Sequence, residues 1–338
     1  MKSLGDVSGE RKNNLNIMRF LAAILVIISH SFPITNGTKE IDPLGIWTDG
    51  RLDFGGVAVS FFFVTGGFLI AGSSERKTKT KEFFIARCKR IFPSLVALCI
   101  ICIFVVGGVF TTNTRYSYYT SIDTWKYLLN IVFVPVHFLP GVFSDNPYPG
   151  VVNGPLWTLP IEFCCYIACF VSYKLGFFNK KRYVFTIPLA FICAIVFFYL
   201  FYQNPFMIRI VRSVILFYIG IGFYVYRNQI HLNYKVAIVA VVLFVFLLYL
   251  KLSIIAMMFA FPYIVYYIAY GINGNYITKF GYKYEISYGM YLWGWPVQQI
   301  IVEFGGICSI WYGNAIVAIG LSVVLGFVNC VVIEKRFI

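Results

Sequence analysis

The chain has 338 residues, of which 59% are hydrophobic, 20% aromatic and only 12% charged. A mean hydropathy of +0.77 exceeds what a soluble fold can bury, so we expect an all-α, polytopic bundle of transmembrane helices. The net charge of +14 does not indicate nucleic-acid binding, because the basic residues lie at the ends of apolar runs, where membrane orientation explains them.

The first apolar run, residues 15–33, contains two ionisable residues, Arg19 and His30. Such residues are costly at membrane depth and therefore mark candidate functional sites. Eleven helical residues turn through about 1,100°, so both side chains project from nearly the same face, about 16 Å apart along the axis. The pair suits chemistry conducted across a membrane. The alternative is structural pairing of each residue with groups on neighbouring helices.

The second apolar run, residues 55–73, is rich in glycine. Gly55, Gly56, Gly66 and Gly67 allow two helix backbones to approach closely, which favours tight helix packing. The alternative is that these glycines leave room for a ligand.

A basic cluster precedes the third run, in the segment ARCKRIFPSL. Arg87 and Arg90 are three residues apart and share one helix face. Guanidinium groups near a helix N-terminus are suitable partners for phosphate. Basic residues on the cytoplasmic side are also expected from membrane orientation alone.

The fourth run opens with NGPLWTLPIEF, which places an acid inside a span. Pro155 suits a first helical turn, and Pro160 is expected to kink the helix. Glu162 requires a partner at this depth. A structural ion pair and a role in orienting His30 are both open.

Polar and aromatic residues elsewhere give weaker indications. Arg209 and Arg212 begin the sixth run on the predicted outer side, where basic residues are disfavoured, so we consider them for contact with an anionic or sugar substrate. Trp125, Tyr148 and Trp293 are typical of an interfacial aromatic belt, with sugar stacking as the alternative.

Ten apolar runs have spanning length: 15–33, 55–73, 91–110, 155–173, 183–202, 209–226, 235–250, 252–270, 285–303 and 309–333. Lys251 alone divides the seventh from the eighth, and the short run 125–139 is expected to be interfacial or re-entrant.

The loops between these runs are alternately rich and poor in Lys and Arg. The basic residues include Arg11, Lys12, Arg76, Lys77, Lys180, Lys181, Arg227, Lys279, Lys335 and Arg336. This alternation predicts cytoplasmic termini, with Arg19 toward the cytoplasm and His30 toward the outside. We expect one membrane domain over residues 1–338 and no cleavable signal peptide.

Taken in order, several segments resemble the acyltransferase-3 family of bacterial membrane O-acyltransferases. They are the Arg19–His30 pair, FFFVTGGFLI, RCKRIFPSL, GPLWTLPIEF, ISYGMYLWGWPV and VIEKRF. The resemblance implies transfer of an acyl group, usually acetyl from cytoplasmic acetyl-CoA, to a sugar hydroxyl at the outer side of the bacterial cytoplasmic membrane. It implies that His30 takes part in acyl transfer and that Arg19, Arg87 and Arg90 serve the donor.

The remaining assignments complete this hypothesis. Glu162 belongs to the fourth-helix signature and is assigned with His30 to catalysis, and Arg209, Arg212 and Trp157 are assigned to acceptor binding. No metal is expected. The partners expected are the lipid bilayer, acetyl-CoA, a sugar or polysaccharide, and polysaccharide assembly machinery. The chain is expected to be a stand-alone form without an extracellular hydrolase-like domain.

Two positions depart from the family pattern. Gly66-Gly67 stand where relatives usually have Ser-Gly, which leaves Thr65 as the nearby hydroxyl. Gly294 stands where relatives often have a histidine before an aromatic-proline pair.

Two other classes of protein remain open: a transporter of a polar or anionic solute that uses the same intramembrane charges, and a non-catalytic partner of a polysaccharide exporter. Acetyl-CoA binding at the basic cluster would distinguish the enzyme from the transporter.

Overall fold

The computed structural model describes residues 2–9, 13–201, 204–272, 280–281 and 283–337. Within these ranges the chain is helical and forms no β-strand, with three isolated β-bridges. Of the residues used above for orientation, Arg11, Lys12 and Lys279 lie outside the described residues.

We number ten principal helices. They are α1 (Leu15–Asn36), α2 (Phe54–Arg76), α3 (Thr80–Phe110), α4 (Pro155–Lys174), α5 (Lys180–Phe201), α6 (Pro205–Val225), α7 (Tyr234–Tyr249), α8 (Ser253–Phe259 and Phe261–Gly271, bent by 46°), α9 (Ser287–Val302) and α10 (Trp311–Phe337).

Within the described part of the chain, six of these helices are long and apolar enough to cross a membrane: α1, α2, α3, α4, α6 and α10. The two arms of α8 make a seventh if they form one span. The prediction of a multi-pass helical membrane protein is therefore confirmed. The number of ten spans stays a prediction. Helices α7 and α9 have 16 residues each, which rise only about 24 Å against a hydrocarbon core of about 30 Å.

The short apolar run at 125–139 is not a spanning helix, as predicted. It forms the end of a short helix and then a 3-10 helix over Tyr127–Val132. The Asn130 side chain donates to the Val136 carbonyl at 2.8 Å and accepts a bond of 3.0 Å from the Val136 backbone N–H. These two bonds hold the chain in a turn.

The chain forms two compact units, each assembled from three segments. Unit 1 comprises Met1–Ala22, Pro43–Phe83 and Ile161–Phe280, and unit 2 comprises Ala23–Asp42, Phe84–Pro160 and Gly281–Ile338.

In unit 1, helix α2 packs closely on α6. A Cβ atom at Gly67 would lie 2.0 Å from the carbonyl oxygen of Phe217, and one at Gly220 would lie 2.1 Å from that of Val64. Backbone atoms therefore fill the space beside both glycines. Helix packing, and not room for a ligand, explains Gly67.

In unit 2, a buried amide pair joins three helices. Gln298 on α9 donates to the carbonyl of Ile27 on α1 at 2.8 Å and to Oδ1 of Asn314 on α10 at 3.0 Å. Asn314 returns a bond of 3.2 Å to the Gln298 carbonyl. Both side chains are fully buried, so these bonds fix α9 against the second half of α1.

Candidate active site

His30 lies in the unit 2 part of α1 and is half-buried against the indole of Trp295 on α9. The two ring centroids are 4.9 Å apart, and the rings meet at 72°. The indole N–H donates to the Val151 carbonyl at 2.9 Å, which holds Trp295 in place. The imidazole, a group able to take up a proton or an acyl group, therefore has a fixed aromatic wall beside it.

A buried carboxylate is hydrogen-bonded to the same stretch of α1. Asp42 is 1% exposed and accepts a bond of 2.6 Å from the hydroxyl of Ser29, the residue before His30. Carboxylates at such depth are retained only with hydrogen bonds or a cation nearby. The sequence does not reveal this burial, because a single acid outside an apolar run carries no sign of its surroundings.

The segment between α3 and α4 is fastened to α9 by side chains. Gln299 donates to the carbonyls of Tyr148 at 2.8 Å and Val151 at 2.9 Å. Asn146 donates to Oε1 of Gln299 at 2.9 Å, and Asn153 donates to the Leu292 carbonyl at 2.9 Å. The residues that precede α4 are thereby held beside Trp295.

Gly294, at the position where the family pattern often has a histidine, has a packing role. A Cβ atom at Gly294 would lie 3.0 Å from Cγ1 of Ile27. Any larger side chain would require Ile27 to shift, so Gly294 permits the close approach of α9 to α1.

Trp157 is half-buried in the 3-10 turn Pro155–Trp157 that opens α4. Pro155 occupies the first turn, as predicted. Its carbonyl accepts a bond of 2.8 Å from the Tyr291 hydroxyl on α9. The role of Trp157 in acceptor binding stays a prediction.

Arg90, from the basic cluster, is paired with two acids in unit 2. Its guanidinium donates to Glu285 and lies 3.8 Å from Oε2 of Glu334. Glu334 belongs to the terminal VIEKRF motif and also accepts a bond of 2.7 Å from Asn329. Arg90 therefore links α3 to the start of α9 and the end of α10. Arg87 lies one turn earlier and is half-buried. Donor binding by either arginine stays a prediction.

Arg90→Gln is expected to lower stability by about 2 kcal/mol, since it leaves two neighbouring carboxylates without their cation. The Glu334 side chain is 5% exposed, so water can solvate its unpaired carboxylate only weakly. Thermal unfolding in detergent measures the effect.

Arg87→Gln is the matched variant. We expect it to weaken acetyl-CoA binding, most strongly at low ionic strength, with little loss of stability.

A second change, Glu334→Gln, is expected to restore part of the stability of Arg90→Gln, because it removes one uncompensated charge. Equal unfolding temperatures for the wild type and Arg90→Gln would show that the ion pairs of Arg90 do not contribute to the stability of the fold.

Unit 1 contains the other predicted residues. Arg19 is half-buried on α1, within electrostatic range of the Tyr270 hydroxyl. Glu162 accepts a hydrogen bond from the hydroxyl of Tyr166, one turn later on α4. Because Glu162 and His30 belong to different units, the proposed orientation of His30 by Glu162 stays a prediction.

Arg209 and Arg212 hold the beginning of α2. Arg209 donates to Asp53 at 2.9 Å, and Asp53 caps α2 through the Gly56 N–H. Arg212 is 3% exposed and donates to the Arg51 carbonyl at 3.0 Å. A Cβ atom at Gly56 would lie 2.5 Å from Nη2 of Arg212, so this glycine makes room for the guanidinium. Sugar or anion binding by either arginine stays a prediction.

The sequence matches the model of an acyltransferase domain over residues 12–335, nearly the whole chain. The chain belongs to the acyltransferase-3 family. It is 31% identical over 157 residues to an O-acetyl transferase of Shigella phage Sf6, a match that covers 46% of this chain and 44% of that protein. It is also 31% identical over 168 residues to Nodulation protein 10 of Rhizobium leguminosarum bv. viciae, covering 47% and 44%.

The chain thus spans about half the length of the curated relatives it matches. No solved structure shows a significant match. The family match confirms the resemblance drawn from the ordered motifs and shows that this multi-pass membrane protein carries an acyltransferase domain.

Proposed function

We propose that the protein is a membrane O-acyltransferase that moves an acetyl group from cytoplasmic acetyl-CoA to a hydroxyl of a cell-surface polysaccharide or its lipid-linked precursor. The observation that carries this proposal is the acyltransferase domain over residues 12–335, in which a half-buried imidazole, His30, stands against a fixed indole. The Sf6 relative, named an O-acetyl transferase, supports acetyl as the transferred group.

In the proposed reaction, the neutral His30 imidazole takes the proton of the acceptor hydroxyl. The hydroxyl oxygen then forms a bond to the thioester carbonyl carbon, the carbon–sulfur bond breaks, and the CoA thiolate leaves and takes up a proton. A two-step route has the same balance: the imidazole first accepts the acyl group and then passes it to the hydroxyl. Arg19, Arg87 and Arg90 would hold the polyanionic donor.

We further propose ten spans with both termini in the cytoplasm and a location in the bacterial cytoplasmic membrane. The alternation of basic loops supports this orientation. CoA is too highly charged to cross a bilayer, so an enzyme of this topology must take its donor from the side that carries Arg87 and Arg90.

Sealed membrane vesicles of opposite orientation test both the reaction and its direction. With labelled acetyl-CoA outside, inverted vesicles from expressing cells are expected to form labelled glycan ester. Right-side-out vesicles are expected to do so only when acetyl-CoA is loaded inside them. Vesicles from cells without the protein are the control.

Two results would contradict this proposal in different ways. Label that reaches glycan from acetyl-CoA outside right-side-out vesicles would reverse the proposed orientation. The absence of protein-dependent ester in both kinds of vesicle would reject acetyl transfer to a glycan.

A further inference from the structure

A continuous series of aromatic rings leads from a surface loop to His30. Tyr148 is half-buried, and exposed prolines, Pro147 and Pro149, flank it on both sides. Its ring lies 5.1 Å from that of Trp295 at 88°, and Trp295 lies 4.9 Å from the His30 ring. In a perpendicular pair, one ring presents only an edge to its neighbour. At least one face of Tyr148 is therefore not covered by Trp295.

Tyr148 differs from the aromatic residues of a membrane belt. Trp125, grouped with it in the sequence analysis, is 38% exposed and packs on Phe104, which is 50% exposed. That pair forms part of an apolar outer surface, as expected for a belt. Tyr148 instead packs against the wall of the candidate active site.

The loop that carries Tyr148 is held in place before any ligand arrives. The two bonds from Gln299 engage the backbone carbonyls of Tyr148 and Val151, so they fix the chain without using the phenol ring. Asn146 is 7% exposed and anchors the beginning of the loop to Gln299. A loop whose backbone is held in this way loses little conformational entropy on binding, which favours its use as a binding surface.

Two acidic residues lie beside the loop. Asp145 precedes the loop, Glu303 follows α9, and both residues are exposed. Their carboxylates interact electrostatically. Two acids at this position disfavour an acceptor that carries a carboxylate, such as a uronic acid, and permit a neutral pyranose.

We propose that Tyr148, backed by Trp295, is the acceptor subsite, and that a neutral pyranose ring packs its C–H face on the phenol ring with a hydroxyl directed to His30. Saccharide rings have an apolar face of this kind, and aromatic side chains commonly line sites for such ligands. This inference rests on the proposed transfer to a sugar and names the side chain that binds that sugar.

The test compares Tyr148→Ala, Tyr148→Phe and the belt control Trp125→Ala in purified protein. The probes are acetyl-CoA with methyl α-glucopyranoside, methyl β-galactopyranoside or methyl glucuronide. Loss of one stacking contact is expected to raise the KM for the neutral glycosides about tenfold in Tyr148→Ala, with acetyl-CoA affinity unchanged. Tyr148→Phe keeps the ring and is expected to lose less than about threefold. Trp125→Ala is expected to behave as wild type, and the glucuronide to be the poorest acceptor.

Binding of the same glycosides, followed by saturation-transfer NMR, separates this subsite from the reaction itself. If Tyr148→Ala abolishes glycoside binding in a protein that transfers no acetyl group, the subsite stands and the proposed reaction fails. If wild type and Tyr148→Ala transfer acetyl with equal KM for the glycosides, the subsite is wrong and the proposed reaction stands. A parallel loss of acetyl-CoA affinity and folded protein in Tyr148→Ala would make Tyr148 a structural residue and overturn the subsite.

Discussion

His30→Ala is expected to lower acetyl transfer by about 10²–10⁴-fold at saturating acetyl-CoA, the range typical for loss of a positioned acid–base group. The proton of the acceptor hydroxyl would then have no acceptor at the reacting centre. The loss of acetyl-transfer rate would be at least as large if the imidazole carries the acyl group itself. Acetyl-CoA affinity is expected to be little changed, because the donor is predicted to bind through the arginines. The measurement is the rate of ester formation per folded molecule.

Two companion variants separate chemistry from packing. His30→Gln retains much of the volume beside Trp295 and is expected to be as inactive as His30→Ala. His231→Ala removes an exposed imidazole and is expected to be fully active. Specific activity of His30→Ala close to that of wild type would remove His30 from catalysis. Labelled protein formed from acetyl-CoA in the absence of acceptor, and lost in both His30 variants, would identify the two-step route.

Local patterns in the sequence predicted the parts of the fold that depend on neighbouring residues. Apolar run length located the helices, because a helix in lipid must be apolar along its whole length. The glycines of α2 predicted close helix packing, which occurs at Gly67 against α6. The division between α7 and α8 falls at Lys251, as predicted, where the backbone takes a positive φ of 61°.

Contacts between distant parts of the chain had no such local signature. Arg90 appeared as a member of a basic cluster, whereas its bonded partner Glu285 lies 195 residues away. Asp42 lies outside the predicted apolar runs, and its burial depends on tertiary packing around Ser29. Trp295 stood in a family motif, but only the structure shows that its ring lies against His30. Helix-face spacing predicts which residues share a surface, and it cannot identify what that surface meets.

Arg19→Ala is expected to raise the KM for acetyl-CoA by about 10–100-fold, the range for loss of one charge-assisted hydrogen bond to a phosphate or carbonyl group of the donor. Arg19 is a permanent cation on an otherwise apolar stretch of α1, three turns before His30, and a charge at membrane depth marks a candidate functional site. The effect should be larger at low ionic strength if it acts on the charged part of CoA. Equilibrium binding of acetyl-CoA and steady-state kinetics measure it.

Arg19→Lys tests whether the charge alone is sufficient. An ammonium group keeps the charge but lacks the planar pair of donors, so we expect Lys to recover only part of the lost affinity. Arg182→Ala is the matched control, because Arg182 is an exposed arginine on the predicted cytoplasmic side and is expected to be dispensable. If Arg19 is instead purely structural, Arg19→Ala will reduce the amount and the thermal stability of the protein while each folded molecule keeps its acetyl-CoA affinity and activity. That result would exclude Arg19 from the donor site and leave Arg87 as the half-buried cation to test next.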